Sequence, residues 1–170
     1  MVEANAAIDY WGQWEFSARH RPRGWPPSWE KFTNRGSLIA RGSPRHATHP
    51  VNVILNYAYG IAAGMSVRSL VSAGLDASVG FLHSDLDGRY SLAYDLLELL
   101  RPEIDAAIMP WISGHRWSRA DFPTTRSGLV QLQPALARVV VERTVAAVPA
   151  ARTEQAAGWL RDMIVAQPPG

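Results

Sequence analysis

Between Ser91 and Pro102 leucine returns at positions 92, 96, 99 and 100, the spacing of a helix with one apolar face. A run of this kind commits its neighbourhood to helix-on-helix packing, and no stretch of useful length alternates as a strand would. Pro102 is expected to close the pattern, because proline removes a donor and crowds the preceding turn. At about 100° per residue, Ser91, Asp95, Glu98 and Arg101 share the stripe opposite the leucines. Just upstream, Val79, Phe81 and Leu82 form an apolar approach to His83, expected to hold that histidine against the core. One imidazole and two carboxylates a turn apart can bind a hard or borderline divalent cation. The competing reading is a surface helix with a solvated acidic face and a hydrogen-bonded histidine.

The remainder also reads as helix and loop. Residues 2–16 form a short helix with Ala6, Ala7, Tyr10 and Trp14 on one face and Glu3 on the same line, so a carboxylate faces inward and needs a cation or a proton. At a frayed chain start Glu3 would instead merely complement the helix dipole. Residues 17–49 are punctuated by proline and glycine, with a short helix at 27–32 as one option; a loop of this length in a compact domain is usually functional or disordered. Pro50 opens a helix whose core face is Val51, Ile54, Leu55, Ala58 and Ala62, with Asn52, Asn56 and Tyr59 as its polar stripe. Gly60 and Gly64 would admit a close backbone, and a second helical piece over 67–73 ends at Gly74, a good C-cap. Helix continues over 103–112, a loop follows over 113–128, and 129–147 reads as helix apart from Pro134. A last amphipathic helix covers 153–165. The expected architecture is all-α, a single helical domain over 1–170 with about six to eight helices, given a mean helix length of about 11 residues.

Composition narrows the chemistry. The 170 residues contain no cysteine, which removes disulfides and thiolate metal sites and leaves histidine and carboxylates as ligands. The net charge of +2 is unevenly placed: seven of the 17 basic residues lie between Arg19 and His46 (Arg19, Arg21, Arg23, Lys31, Arg35, Arg41, Arg45) against one acid, Glu30. All of the basic residues except Lys31 are arginine, whose planar fork suits phosphate oxygens. Interleaved Trp25, Trp29 and Phe32 make the segment a nucleic-acid surface or a loop anchored to the core by its tryptophans. The longest apolar run carries Asn52 and Asn56 and is too short to span a bilayer. A cytoplasmic protein without membrane contact is expected.

Three separated stretches carry a family resemblance: EANAAIDYW from Glu3, HPVNVILNYAYG from His49, and GLDASVGFLHSDLDGRYSLAYDLLELLRPEID from Gly74. In this order they resemble the helical domain of CRISPR-associated protein one, the integrase and endonuclease of spacer acquisition. The resemblance implies a divalent metal, Mg²⁺ or Mn²⁺, held by Glu3, His83 and Glu98, with Asp95 in catalytic support or as the alternative final ligand. It places Asn52, Asn56, Arg89 and Arg101 at the family's other polar motif positions. DNA contacts are expected from Arg89, Arg101 and the loop residues Arg19, Arg21 and Arg23. It further implies double-stranded or branched DNA as substrate, a homodimer, and the small second protein of the CRISPR adaptation complex as partner. Ala77 stands where the family has the proline of GLDP and should only loosen a turn. The family's N-terminal sheet domain has no counterpart in these residues, so weak cleavage is expected of the short form. The rival functions are a non-catalytic helical remnant that binds DNA or a partner, and an unrelated metal hydrolase of small phosphoesters.

Overall fold

The computed structural model describes Trp29, residues 46–82 and residues 89–166. These form four α-helices, α1 (Pro50–Ser72), α2 (Ser91–Gly114), α3 (Pro134–Ala147) and α4 (Ala150–Val165), with a 3-10 turn at Arg119–Asp121 between α2 and α3. The all-α class is as the periodicity implies. The nearest approach to a sheet among the described residues is one antiparallel bridge, Thr124 to Val130.

Several boundaries differ from the sequence reading. The two pieces expected over 51–73 are one unbroken helix, α1. Pro102 does not close α2, which runs on through Pro110 to Gly114. Both prolines are exposed, so the carbonyls they leave without a helical donor lie toward solvent. Residues 129–133 are not helical. Pro134 instead occupies the first position of α3, where a missing N–H costs nothing and the preceding residue is biased to extended backbone. α4 begins at Ala150, ahead of the expected 153.

The chain divides into two compact units, residues 1–57 with 109–139, and residues 58–108 with 140–170. In the first, Val51, Ile54 and Leu55 of α1 are fully buried, as their spacing implies. His49 caps α1: its Nδ1 accepts the Val51 N–H at 3.1 Å, taking up one of the donors that a helix start leaves unpaired. Burial pushes this imidazole down to about 4, with a Trp29 backbone hydrogen bond acting the other way. Trp29 is itself buried; its indole N–H donates to the Thr48 carbonyl at 2.9 Å and its ring meets the Phe122 ring edge-on at 6.1 Å. That tryptophan of the basic loop is therefore an anchor rather than a platform for a base. Trp117 donates to the Ile112 carbonyl at 3.0 Å, and the Val130 N–H reaches the Ala47 carbonyl at 2.9 Å.

In the second unit Leu70, Ala77, Leu92, Ala93, Leu96, Ala156 and Ala157 form one buried cluster, with Val67, Ala73, Leu75 and Leu160 against it. Each buried leucine contributes about 1.5–3 kcal/mol. Gly74 ends α1 as expected, at φ +80°. Around it the Leu75 N–H donates to the Leu70 carbonyl at 2.9 Å and the Gly74 N–H to the Val71 carbonyl at 3.0 Å, a Schellman closure. The turn that follows caps the next helix: the Ala77 carbonyl accepts the N–H groups of Leu92 at 3.0 Å and Ala93 at 3.4 Å. A carbonyl is available there whether the residue is alanine or proline. Asp76 tightens the same turn, accepting from the Ser78 hydroxyl at 2.7 Å and the Ser78 N–H at 2.9 Å, which hold its carboxyl below the usual carboxylate range. Beyond the adjoining backbone of α1, no atom of the described residues lies within 4 Å of where a Cβ would stand on Gly60 or Gly64, so none of them uses the close approach these glycines permit.

Candidate metal-binding and DNA-processing site

The polar stripe of α2 is the frame of the site, and it points inward. Ser91 is 0% exposed, Asp95 8% and Asp105 2%, whereas Leu99, expected on the core face, is 50% exposed. The solvated acidic face is thus corrected. The outer side of α2 is Leu99, Pro102, Ala106 and Pro110; Asp95 and Asp105 lie inside, each met by donors, and Glu98 is partly exposed. A buried carboxylate without such partners would be costly.

The three acids of the stripe are satisfied differently. Asp95 turns to the backbone: its Oδ2 accepts the N–H groups of Phe81 and of Leu82 at 3.0 Å. Glu98, one turn on, is partly exposed and pairs with the Arg101 guanidinium at 2.9 Å. Arg101 in turn lies over the Tyr59 ring, 4.9 Å from its centroid, and the Tyr59 hydroxyl donates to Asp105. Glu98, Arg101, Tyr59 and Asp105 therefore form one connected polar chain within the second unit. Asp105 is a buried acid that the motif reading does not single out, although it continues the stripe seven residues beyond Glu98. Tyr59 lies in the polar stripe of α1, where the sequence offers no partner to explain it.

The approach to His83 is not held as expected. Val79, Phe81 and Leu82 are 56%, 67% and 73% exposed, so their side chains do not fix that segment to the core. His83, Glu3, Arg19, Arg21 and Arg23 lie outside the described residues. Among the described residues no three histidine or acidic side chains gather as a metal site; of the proposed ligands only Glu98, and its alternative Asp95, fall within that set. Arg89 is partly exposed, its guanidinium 5.2 Å from the Tyr94 ring centroid. In the first unit, Asn52 is 1% exposed, and among the described residues neither its Oδ1 nor its Nδ2 has a hydrogen-bond partner. Asn56 and Tyr57 line an open cavity of about 700 Å³ with Pro123, Gln131 and Gln133. No helix among the described residues is long and apolar enough to cross a membrane.

An all-helical fold of this kind is found among known proteins. A family model, CRISPR associated protein Cas1, matches residues 1–144. A CRISPR-associated endonuclease Cas1 of Archaeoglobus fulgidus is 35% identical over 115 residues, 68% of this chain and 33% of the relative. One from Pyrobaculum aerophilum is 46% identical over 67 residues, 39% of this chain and 23% of the relative. The structure of a casposase bound to integration product matches with a TM-score of 0.74 at 25% identity, covering 95% of this chain and 49% of that one. The chain belongs to the Cas1 family. It spans 33% and 23% of the length of the two relatives.

Proposed function

We propose that this chain is the helical catalytic part of a divalent-metal-dependent DNA endonuclease and integrase of CRISPR adaptation, inserting foreign DNA as spacers in antiviral defence. The observation that carries the reading is local. In a chain of the Cas1 family, α2 presents Glu98 one turn after an aspartate that grips the backbone directly ahead of His83. The donor chemistry fits Mg²⁺ or Mn²⁺: no cysteine is present, and Glu98 is partly exposed directly after the buried Asp95, Leu96 and Leu97. Glu3, His83 and Glu98 would hold the ion. Bound there, it would supply Lewis-acid polarisation of the scissile phosphate and charge stabilisation as the bond breaks.

The protein's own groups have separate tasks. Arg101 fixes the Glu98 carboxylate from one side while Tyr59 limits the guanidinium's movement from another. Arg89 and the loop residues Arg19, Arg21 and Arg23 hold backbone phosphates, and the exposed part of Arg101 can join them. Double-stranded or branched DNA is the substrate in this reading, in keeping with the integration product bound to the casposase. A homodimer, the small second protein of the adaptation complex and a cytoplasmic location complete it.

Calorimetry with Mn²⁺ tests the site. The wild-type chain should bind with a measurable heat that His83→Ala and Glu98→Gln abolish, and Glu98→Gln should lose cleavage and strand transfer on branched DNA. Unchanged Mn²⁺ binding in His83→Ala would sink the assignment. DNA binding with no metal dependence in any variant would favour a non-catalytic binding module.

A further inference from the structure

We infer that Asp95 is a positioning residue, whose carboxylate holds the Phe81–Leu82 backbone directly ahead of His83, and that it leaves the ligand role on this helix to Glu98. The inference rests on the metal-site reading above and deepens it. One oxygen, Oδ2, accepts two consecutive backbone N–H groups, those of Phe81 and Leu82, in the manner of an anion in a concave run of amides. The side chains of those two residues are 67% and 73% exposed. Apolar burial therefore does not tie this segment to the helix, and the hydrogen bonds to Asp95 do. A hydrogen bond to a charged acceptor is roughly twice as strong as one between neutral groups. His83 follows Leu82 directly in the chain, so these two hydrogen bonds tether the backbone immediately ahead of it. Oδ2 is thus committed to the backbone, and Asp95 as a whole is only 8% exposed. Glu98 is partly exposed, its side chain about as open as that of its partner Arg101, and its task is compatible with coordination.

Amide exchange on the ¹⁵N-labelled metal-free chain and Mn²⁺ titration, read together, test this. Asp95→Ala should speed exchange at Phe81 and Leu82 and weaken Mn²⁺ binding, each by about tenfold or more, the scale of one lost charged hydrogen bond. Asp95→Asn keeps an oxygen able to accept both amides. It should retain most of the protection and bind Mn²⁺ within about threefold of wild type, since a neutral acceptor forfeits only part of such a bond. If Asp95→Asn loses Mn²⁺ as fully as Glu98→Gln while the two amides stay protected, Asp95 is a ligand and the positioning role is wrong. Should Asp95→Ala fail to melt cooperatively, Asp95→Asn against Glu98→Gln decides by the same criterion. A wild-type chain that binds no Mn²⁺ overturns the positioning role together with the metal reading; protected Phe81 and Leu82 amides would then locate the failure in the metal reading, and unprotected ones in the hydrogen bonds to Asp95.

Discussion

At the scale of single residues, His49 couples a helix cap to pH. Its Nδ1 serves as an acceptor only while unprotonated, and burial lowers its pKa from 6.5 to about 4. Between those values the unfolded chain takes up a proton that the folded chain refuses. The contribution of this residue is therefore complete above about pH 6.5, declines as pH falls, and is lost by about pH 4. At about 1.36 kcal/mol per unit, the whole swing is about 3 kcal/mol. Urea midpoints at pH 7 and pH 4.5 should differ accordingly, and His49→Asn should flatten the difference whatever its effect at pH 7. An undiminished slope in that variant would assign the pH dependence elsewhere. Tyr59 and Asp105 offer a second test. Removing the hydroxyl in Tyr59→Phe takes a donor from a carboxylate that is 2% exposed, expected to cost about 1–3 kcal/mol in urea denaturation. A double-mutant cycle with Asp105→Asn should return a clear coupling; a coupling near zero would mean the pair is incidental. These residues also mark how far a sequence can be read. Gly74 is legible because a C-cap depends on its own backbone, whereas Asp95 is legible only as an acid on a stripe, since its partners are backbone amides that no side-chain code announces.

At the scale of elements, α2 carries two prolines inside a helix that continues regardless. Its burial on several sides outweighs the lost hydrogen bonds: Leu92, Leu96, Leu97, Leu100, Ile104 and Ile108 are all nearly or fully inaccessible. Pro102 is exposed, so Pro102→Ala should restore an N–H bond to the Glu98 carbonyl with little loss of packing. The expected gain is about 1–3 kcal/mol on the helix-interior scale for proline, read as a higher urea midpoint. A lower midpoint would show that α2 needs the proline's local geometry to present Glu98. Ion pairs between elements hold less than their geometry suggests. Arg152 reaches Glu103 at 2.8 Å, but both side chains are about a third exposed or more, and such pairs contribute at most about 1 kcal/mol. The buried hydroxyl pair Ser69 and Thr153, 2.7 Å apart, is the stronger link between α1 and α4. Helix type is readable from period alone, and boundaries fail where proline is treated as a universal stop.

At the scale of the whole molecule, the charge distribution makes the testable statement. With about four phosphates neutralised, log K for duplex DNA against log salt should slope by about −3.6. Arg19→Ala, Arg21→Ala and Arg23→Ala together should flatten that slope by about 0.9 for each phosphate no longer neutralised, with Mn²⁺ binding intact. A wild-type slope near zero would mean that the arginines serve the fold. The amino-acid sequence by itself determined that the chain is all-α, where α1 ends, that Val51, Ile54, Leu55, Ala58 and Ala62 enter the core, and that metal chemistry here would rest on histidine and carboxylates. Those are properties of period, backbone preference and composition, each set within a few residues. Only the tertiary structure decided that Asp95 and Asp105 of α2 face inward, that Leu99 faces out, and that Asp95 grips amides 13 and 14 residues before it. Periodicity assigns residues to stripes but does not say which neighbours surround a helix. A helix packed on several sides can bury its polar stripe wherever the rest of the chain brings donors to meet it.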